Sequence, residues 1–115
     1  MSSVQSAAKI KCRIKENSFI ARIAAWKLGS KQVAIVIGKT IHLHNTSKAE
    51  FLLNTRWMRH EAAHLHQFKQ YGFFSFLIKY VFESLKSGYQ NNKYEIEARA
   101  AEKDEAVCDH IVFKI

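Results

Sequence analysis

Residues 60–64 read His-Glu-Ala-Ala-His and lie inside a stretch that predicts helix from Ser47 to Gln70, with a bend near residues 54–55. Residues four apart lie one above the other on a helix, about 6 Å apart at Cβ, so both imidazoles can reach one metal ion. Glu61 projects about 100° further round, where it can contact a water molecule without binding the metal. The pattern predicts a zinc site with His60 and His64 as ligands and Glu61 as general base.

A catalytic zinc site has three protein ligands and one open position, so another segment has to supply the third ligand. A predicted helix over residues 93–104 offers two glutamates, Glu95 and Glu97. Residues two apart on a helix point about 200° apart, so only one of them can face the metal. Spacing alone leaves both candidates open.

The remaining histidines are expected to have structural roles. His66 lies two residues after His64 and points about 200° away from it on the helix, so the two cannot share a metal. His42 and His44 alternate along a predicted strand and share one face. Such a pair can bind a metal, but we interpret it as part of a solvated strand surface. His110 carries no signal.

From residue 33 to 103 the chain resembles the gluzincin metallopeptidases, the thermolysin-like clan, in which HExxH is followed by a glutamate ligand on a later helix. Residues 95–98 read Glu-Ile-Glu-Ala, which looks like the E-x-x-A element of that helix, and Gln67 completes an HExxHxxQ pattern. The resemblance implies a zinc ion as cofactor and Glu95 as its third ligand. It implies zinc-dependent peptide-bond hydrolysis, with a peptide or unfolded protein as substrate lying along an edge strand at residues 40–44.

The chain departs from this pattern at Arg99, which stands where relatives often place an aspartate that supports a ligand histidine. Glu102 and Asp104 are the two carboxylates that could replace it. Hydrolysis also needs a hydrogen-bond donor for the oxyanion. Several side chains are open candidates for it: Tyr71, Tyr89, Tyr94, His42 and His44.

The order of predicted elements indicates an α+β fold. A helix ends at Gly29, two β-prone runs flank Gly38-Lys39 as a hairpin, and three helices follow. We expect a small antiparallel sheet packed on three to four helices, zincin-like, in a single minimal gluzincin-like domain spanning residues 1–115. The predicted segments are helices 19–28, 47–70, 73–86 and 93–104, strands 33–37 and 40–44, and possible strands near 9–15 and 107–115.

Helix 73–86 is the most apolar segment, with one polar stripe formed by Ser75, Lys79 and Glu83 at a spacing of four. A helix with so narrow a polar stripe should be nearly surrounded by protein. Its apolar run of ten residues, 73–82, is shorter than the roughly 20 residues that a spanning helix needs. We therefore expect a core helix and no membrane span.

The chain carries a net charge of +8, which makes nucleic acid or an anionic membrane surface a candidate partner. However, its basic residues are scattered, and the one cluster, over residues 9–15, alternates with apolar residues as in a half-buried strand. We expect no nucleic-acid partner. A basic nucleic-acid-binding domain and a non-catalytic, metal-stabilised binding module that retains HExxH are the alternatives to a peptidase.

Composition and cysteine usage indicate the class of protein and its compartment. With 48% hydrophobic and 12% aromatic residues, the chain is not of the disordered class. Cys12 and Cys108 form no CxxC pair, and we expect both to be reduced, buried thiols in a cytoplasmic protein. Residues 1–15 lack the long apolar region of a secretory signal peptide.

Overall fold

The computed structural model describes residues 9–114 of the chain. Residues 1–8 and 115 lie outside the described part, and so does most of the segment for which no signal peptide is predicted. The fold is α+β, as predicted, with four strands and five helices in the described part. In chain order the elements are β1 (Ile10–Lys15), α1 (Phe19–Leu28), β2 (Val33–Ile37), β3 (Thr40–His44), α2 (Lys48–Leu53), α3 (Thr55–Tyr71), α4 (Phe73–Ser87), α5 (Lys93–Ala101) and β4 (Ile111–Lys114).

The four strands form one mixed sheet in the order β2-β3-β1-β4. The predicted hairpin is confirmed, since β2 and β3 pair antiparallel with Val36 opposite Ile41. The sheet as a whole is not antiparallel, because β1 pairs in parallel with both β3 and β4. The hairpin can be read from a local turn, whereas the pairings of β1 join segments that are distant in sequence.

This order corrects one prediction. Residues 40–44 do not form an edge strand, because β3 is hydrogen-bonded to β2 on one side and to β1 on the other, with Ile14 opposite Ile41. Its backbone groups are therefore already paired within the sheet. In the described part of the chain, the edges of the sheet are β2 and β4.

The predicted helix over residues 47–70 is divided into two helices. Ser47 and Glu50 form the expected capping box at the start of α2, in which the Glu50 N–H donates to Ser47 Oγ at 3.0 Å. The helix then breaks at Asn54, whose side-chain oxygen accepts from the Trp57 N–H at 3.2 Å and caps α3. The HExxH segment consequently lies in the middle of α3, which ends before Gly72.

The main core lies between the sheet and α3, where Ile41 and Leu43 pack with Leu65 and Phe68. A second, smaller cluster packs α1 on β2 through Ala21, Ala25 and Val33. The edge strand β2 therefore lies beside α1 and close to α3, which brings it next to the HExxH segment.

The prediction that helix 73–86 is nearly surrounded by protein is wrong. Of the residues in α4, only Phe76 is fully buried, while Phe74 is 76% exposed and Leu85 is 82% exposed. The narrow polar stripe shows that the helix is rich in apolar residues. It does not show that they are buried, because a small domain has too few elements to cover every face of such a helix. No helix of the described part is long and apolar enough to cross a membrane.

Candidate metal centre

Two imidazoles and one carboxylate meet between α3 and α5. His60 Nε2 lies 3.0 Å from Glu95 Oε1, and His64 Nε2 lies 3.3 Å from Glu95 Oε2. Within residues 9–114, these three are the one group of three or more His, Cys, Asp or Glu residues that could hold a metal ion, with all ligand atoms within 4.8 Å of one another. The structure thus brings together the three residues expected as ligands.

The other nitrogen of each imidazole is held by an oxygen. His60 Nδ1 lies 2.8 Å from Glu102 Oε2, and His64 Nδ1 lies 2.8 Å from Gln67 Oε1. Because both oxygens are acceptors, each Nδ1 donates the hydrogen bond, and in the neutral ring Nε2 keeps its lone pair. This tautomer, fixed by an oxygen behind the ring, is typical of histidines that bind zinc.

The supporting oxygens are themselves anchored. Arg56 Nη2 donates to Glu102 Oε1 at 2.7 Å, which leaves Oε2 for His60. On the other side, Gln67 Nε2 donates to Glu97 Oε1 at 2.6 Å. The two histidines are therefore oriented by two separate chains of hydrogen bonds.

These contacts separate the two glutamates that spacing left open. Glu95 is buried and faces both imidazoles, whereas Glu97 is exposed and lies behind Gln67. Glu97 therefore supports the site from outside. The buried Ala98, one turn after Glu95, leaves room for α5 to approach α3 closely.

Of the two carboxylates considered for support of a histidine, Glu102 contacts His60 and Asp104 does not. Arg99 itself points elsewhere and donates to the backbone carbonyl of Gln90. The Asp104 carboxylate accepts from the Ala106 N–H at 2.9 Å, in a turn after α5.

Asn92 fixes the first turn of α5, on which Glu95 lies. Its side chain is fully buried, and its Oδ1 accepts from the Tyr94 N–H at 2.8 Å as the N-cap. Its Nδ2 donates to the Tyr80 carbonyl at 3.1 Å and to Ser84 Oγ at 2.8 Å. One buried amide thus joins α4 to the start of α5 and sets the position of the Glu95 carboxylate.

Tyr80 is a site residue that the sequence reasoning missed. Its hydroxyl donates to Glu95 Oε2, and its ring lies 6.2 Å from the His64 ring, centroid to centroid. Burial, followed by the charge of Glu95, raises the pKa of Tyr80, so the phenol stays neutral and remains a donor. Its position four residues after Phe76, on the same side of α4, was the signal available in the sequence.

The other candidates for an oxyanion donor divide into two groups. Tyr89 lines the cleft beside the metal centre, and burial raises its pKa to about 12. Tyr71 instead stacks on Phe76, and His42 Nδ1 is 2.8 Å from Ser18 Oγ. The remaining two, Tyr94 and His44, line neither of the two cavities that meet at the metal centre.

The two imidazoles and the Glu95 carboxylate shift each other's pKa. Burial alone would lower the pKa of His60, but the hydrogen bond to Glu95 and the charge of Glu61 raise it to about 9. Burial alone would raise the pKa of Glu95, but the hydrogen bonds from both histidines hold it well below its usual range. Protons on the imidazoles thus balance the buried carboxylate, and a metal ion would displace them.

Glu61 is buried beside the two histidines but is not part of the metal-binding group. Burial raises the pKa of Glu61 to about 7, and the charges of His64 and His60 limit the rise. A carboxyl group with a pKa near the working pH can both accept and return a proton, as a general base must.

Two cavities meet at the centre. One, of about 400 Å³, is lined mainly by apolar side chains of α1, β2, α3 and α4. The other, of about 460 Å³, is more polar and includes Arg56 and Gln32. His60, Glu61 and Tyr89 line both cavities, as do residues 33–34 of the edge strand β2. The metal centre therefore lies on the floor of a cleft that follows β2.

The other predicted structural residues lie outside the cluster. His66 Nε2 donates to the Val107 carbonyl at 2.8 Å, on the side that packs against the C-terminal segment. Both cysteines are free, as expected, although only Cys12 is fully buried and Cys108 is half-buried. Burial raises the pKa of Cys12 to about 12, so this thiol stays protonated.

Comparisons with protein-family models, with curated proteins and with solved structures found no match for this chain. Its function is therefore inferred from the geometry of the metal centre.

The two neighbouring glutamates should behave differently when either is neutralised. We expect Glu95→Gln to lose zinc affinity by about 100-fold or more, because a two-histidine site lacks the third, anionic ligand of zinc sites. Glu97→Gln should stay within about tenfold of the parent, since it alters only the support of Gln67. Competition with a chromogenic chelator measures both, and equal affinities for the two variants would contradict the assignment.

The support of His60 can be tested with a second matched pair. Glu102→Ala removes the acceptor of the His60 Nδ1 proton and should weaken zinc binding about 10- to 100-fold. Asp104→Ala removes a carboxylate that faces a turn and should bind zinc like the parent. Isothermal titration of metal-free protein separates them, and parent-like binding by Glu102→Ala would show that this carboxylate does not orient the ligand.

Proposed function

We propose that this chain is a zinc-dependent peptidase in which His60, His64 and Glu95 hold the metal ion and Glu61 is the general base. The observation that carries the proposal is the convergence of two Nε2 atoms on one buried carboxylate, with each Nδ1 held by an oxygen. Two imidazoles and a carboxylate are donors that zinc accepts, and three ligands leave a fourth position open. A zinc ion there would supply a Lewis acid that polarises a carbonyl and makes water nucleophilic at neutral pH.

Glu61 is the residue that moves the proton. Its carboxylate would take a proton from the attacking water and return it to the amine that leaves. Its burial beside the histidines and its place in both cavities support this role, because the water and the scissile bond have to meet in the same cleft.

The edge strand β2, rather than β3, would align the substrate. No described strand pairs with the outer edge of β2, so its N–H and C=O groups on that side can bind an extended peptide or an unfolded protein segment. Residues 33–34 line both cavities together with His60 and Glu61, which would place the peptide backbone over the metal centre. Tyr89 is the neutral hydroxyl in this cleft that would donate to the oxyanion of the transition state, since the single O–H of Tyr80 already donates to Glu95.

The proposed reaction takes place in the cytoplasm and involves no nucleic acid. The two unpaired thiols support a reducing compartment. Three of the four basic residues of the cluster over residues 9–15 lie on β1, in which buried apolar residues alternate with exposed basic ones as in a half-buried strand. These lysines and the arginine form the solvated face of that strand.

Replacing the general base should separate catalysis from metal binding. Glu61→Gln should retain one zinc ion per chain and lose at least about 100-fold in the hydrolysis of a mixed peptide library, because it can no longer accept a proton. Glu105→Gln, a neutralised glutamate in an exposed turn, is the matched control and should hydrolyse at the parent rate. The readout is new amino termini, together with the zinc content of each variant.

Two outcomes would overturn the proposal. Hydrolysis by Glu61→Gln at the parent rate would exclude Glu61 as the base. A parent protein that holds zinc but cleaves no peptide of the library would instead support the metal-stabilised binding module.

A further inference from the structure

We propose that α1 and α4 form a docking surface for an anionic membrane, on which the chain lies without crossing the bilayer. Both helices present apolar side chains to solvent. On α4 these residues follow a helical stripe, i, i+4, i+7, i+8 and i+11, and are 54–82% exposed: Phe74, Ile78, Val81, Phe82 and Leu85. On α1 the stripe at i, i+4 and i+7 is 48–80% exposed: Phe19, Ile23 and Trp26.

The two helices that carry the stripes border the same cavity. α1 and α4 line the same apolar cavity, to which α1 contributes Leu28 and α4 contributes Leu77 and Val81. The hairpin turn also lies close to the start of α4. The Phe73 ring is so near the backbone of Gly38 that a Cβ atom added there would be 3.3 Å from it. Most of the large apolar side chains exposed in the described part lie on these two helices.

The charge around these stripes is complementary to an anionic surface. The two helices carry four basic residues, Arg22, Lys27, Lys79 and Lys86, which are all exposed, and a single acidic residue, Glu83, which is half-buried. The whole chain has a net charge of +8. Apolar side chains flanked by lysine are typical of helices that lie in the interface of an anionic bilayer.

The shape of the surface favours lipid over another polypeptide. Trp26, Phe74 and Leu85 are 76–82% exposed, so their side chains project from the surface. Projecting aromatic and aliphatic groups insert at the boundary of headgroups and acyl chains. A symmetric dimer through this face would bring the basic residues of both copies together, so charge repulsion opposes it.

Vesicle sedimentation with the full chain tests this surface, using vesicles of phosphatidylcholine alone or with an equal part of phosphatidylglycerol. The parent should sediment with the anionic vesicles only, and added salt should release it. Phe74→Ser combined with Leu85→Ser should reduce the bound fraction about tenfold or more. Leu53→Ser is the matched control, because Leu53 is 84% exposed but lies on α2 and lines neither cavity.

A second readout does not depend on the folding of the double variant. Trp26 emission should shift to the blue when anionic vesicles are added, and Trp26→Phe should bind the vesicles without that shift. The proposal is overturned if the parent ignores anionic vesicles at low salt, or if Leu53→Ser loses as much binding as the double variant. Sedimentation equilibrium showing a dimer that Leu85→Ser dissociates, without vesicle binding, would assign the surface to a second copy.

Discussion

The buried carboxylate of Glu95, shared by two imidazoles of α3, is the interaction on which the rest of the site depends. A buried carboxylate is costly unless it is paired, so α5 has to approach α3 closely enough for both His60 and His64 to reach it. Ala98 makes that approach possible, and Asn92 fixes the turn that carries the carboxylate. The negative charge of the buried Glu95 carboxylate has to be balanced by positive charge. Protons on His60 and His64 can supply it, and so can a metal ion bound by the three side chains.

The sequence predicts best what depends on short-range geometry. The spacing of the HExxH segment, the capping box at Ser47 and the hairpin around Gly38 each follow from interactions between near neighbours. The choice of Glu95 over Glu97 does not, because both spacings are compatible with a ligand and only the position of α5 against α3 separates them. The family-like pattern favoured Glu95, and the structure places that residue against the histidines.

Contacts between segments that are distant in sequence could not be predicted. Nothing in residues 40–44 indicates that β1 pairs with them. In the structure the strand predicted as an edge is internal, and β2 is the edge strand beside the site. Tyr80 was missed for a similar reason, since its contact with Glu95 joins two helices that approach each other only in the fold. The exposed face of α4 follows from the size of the domain, which the composition of the helix does not reveal.

The cleft connects these features. Its lining includes His60, His64 and Glu95, residues 33–37 of β2, and apolar side chains of the two helices that carry the exposed stripes. The proposed chemistry and the proposed membrane surface rest on different residues, so either can fail without the other. Both depend on the same arrangement of α4, which supplies Tyr80 to the centre and Phe74 to the surface.

X-ray absorption spectroscopy of the zinc-loaded protein tests the central claim most directly, because it reports the atoms that bind the ion. The account predicts one zinc ion per chain with nitrogen and oxygen neighbours at about 2.0–2.1 Å, the outer-shell pattern of two imidazoles, and no sulfur. Sulfur at about 2.3 Å, or a spectrum with a single imidazole, would contradict a centre built from His60, His64 and Glu95.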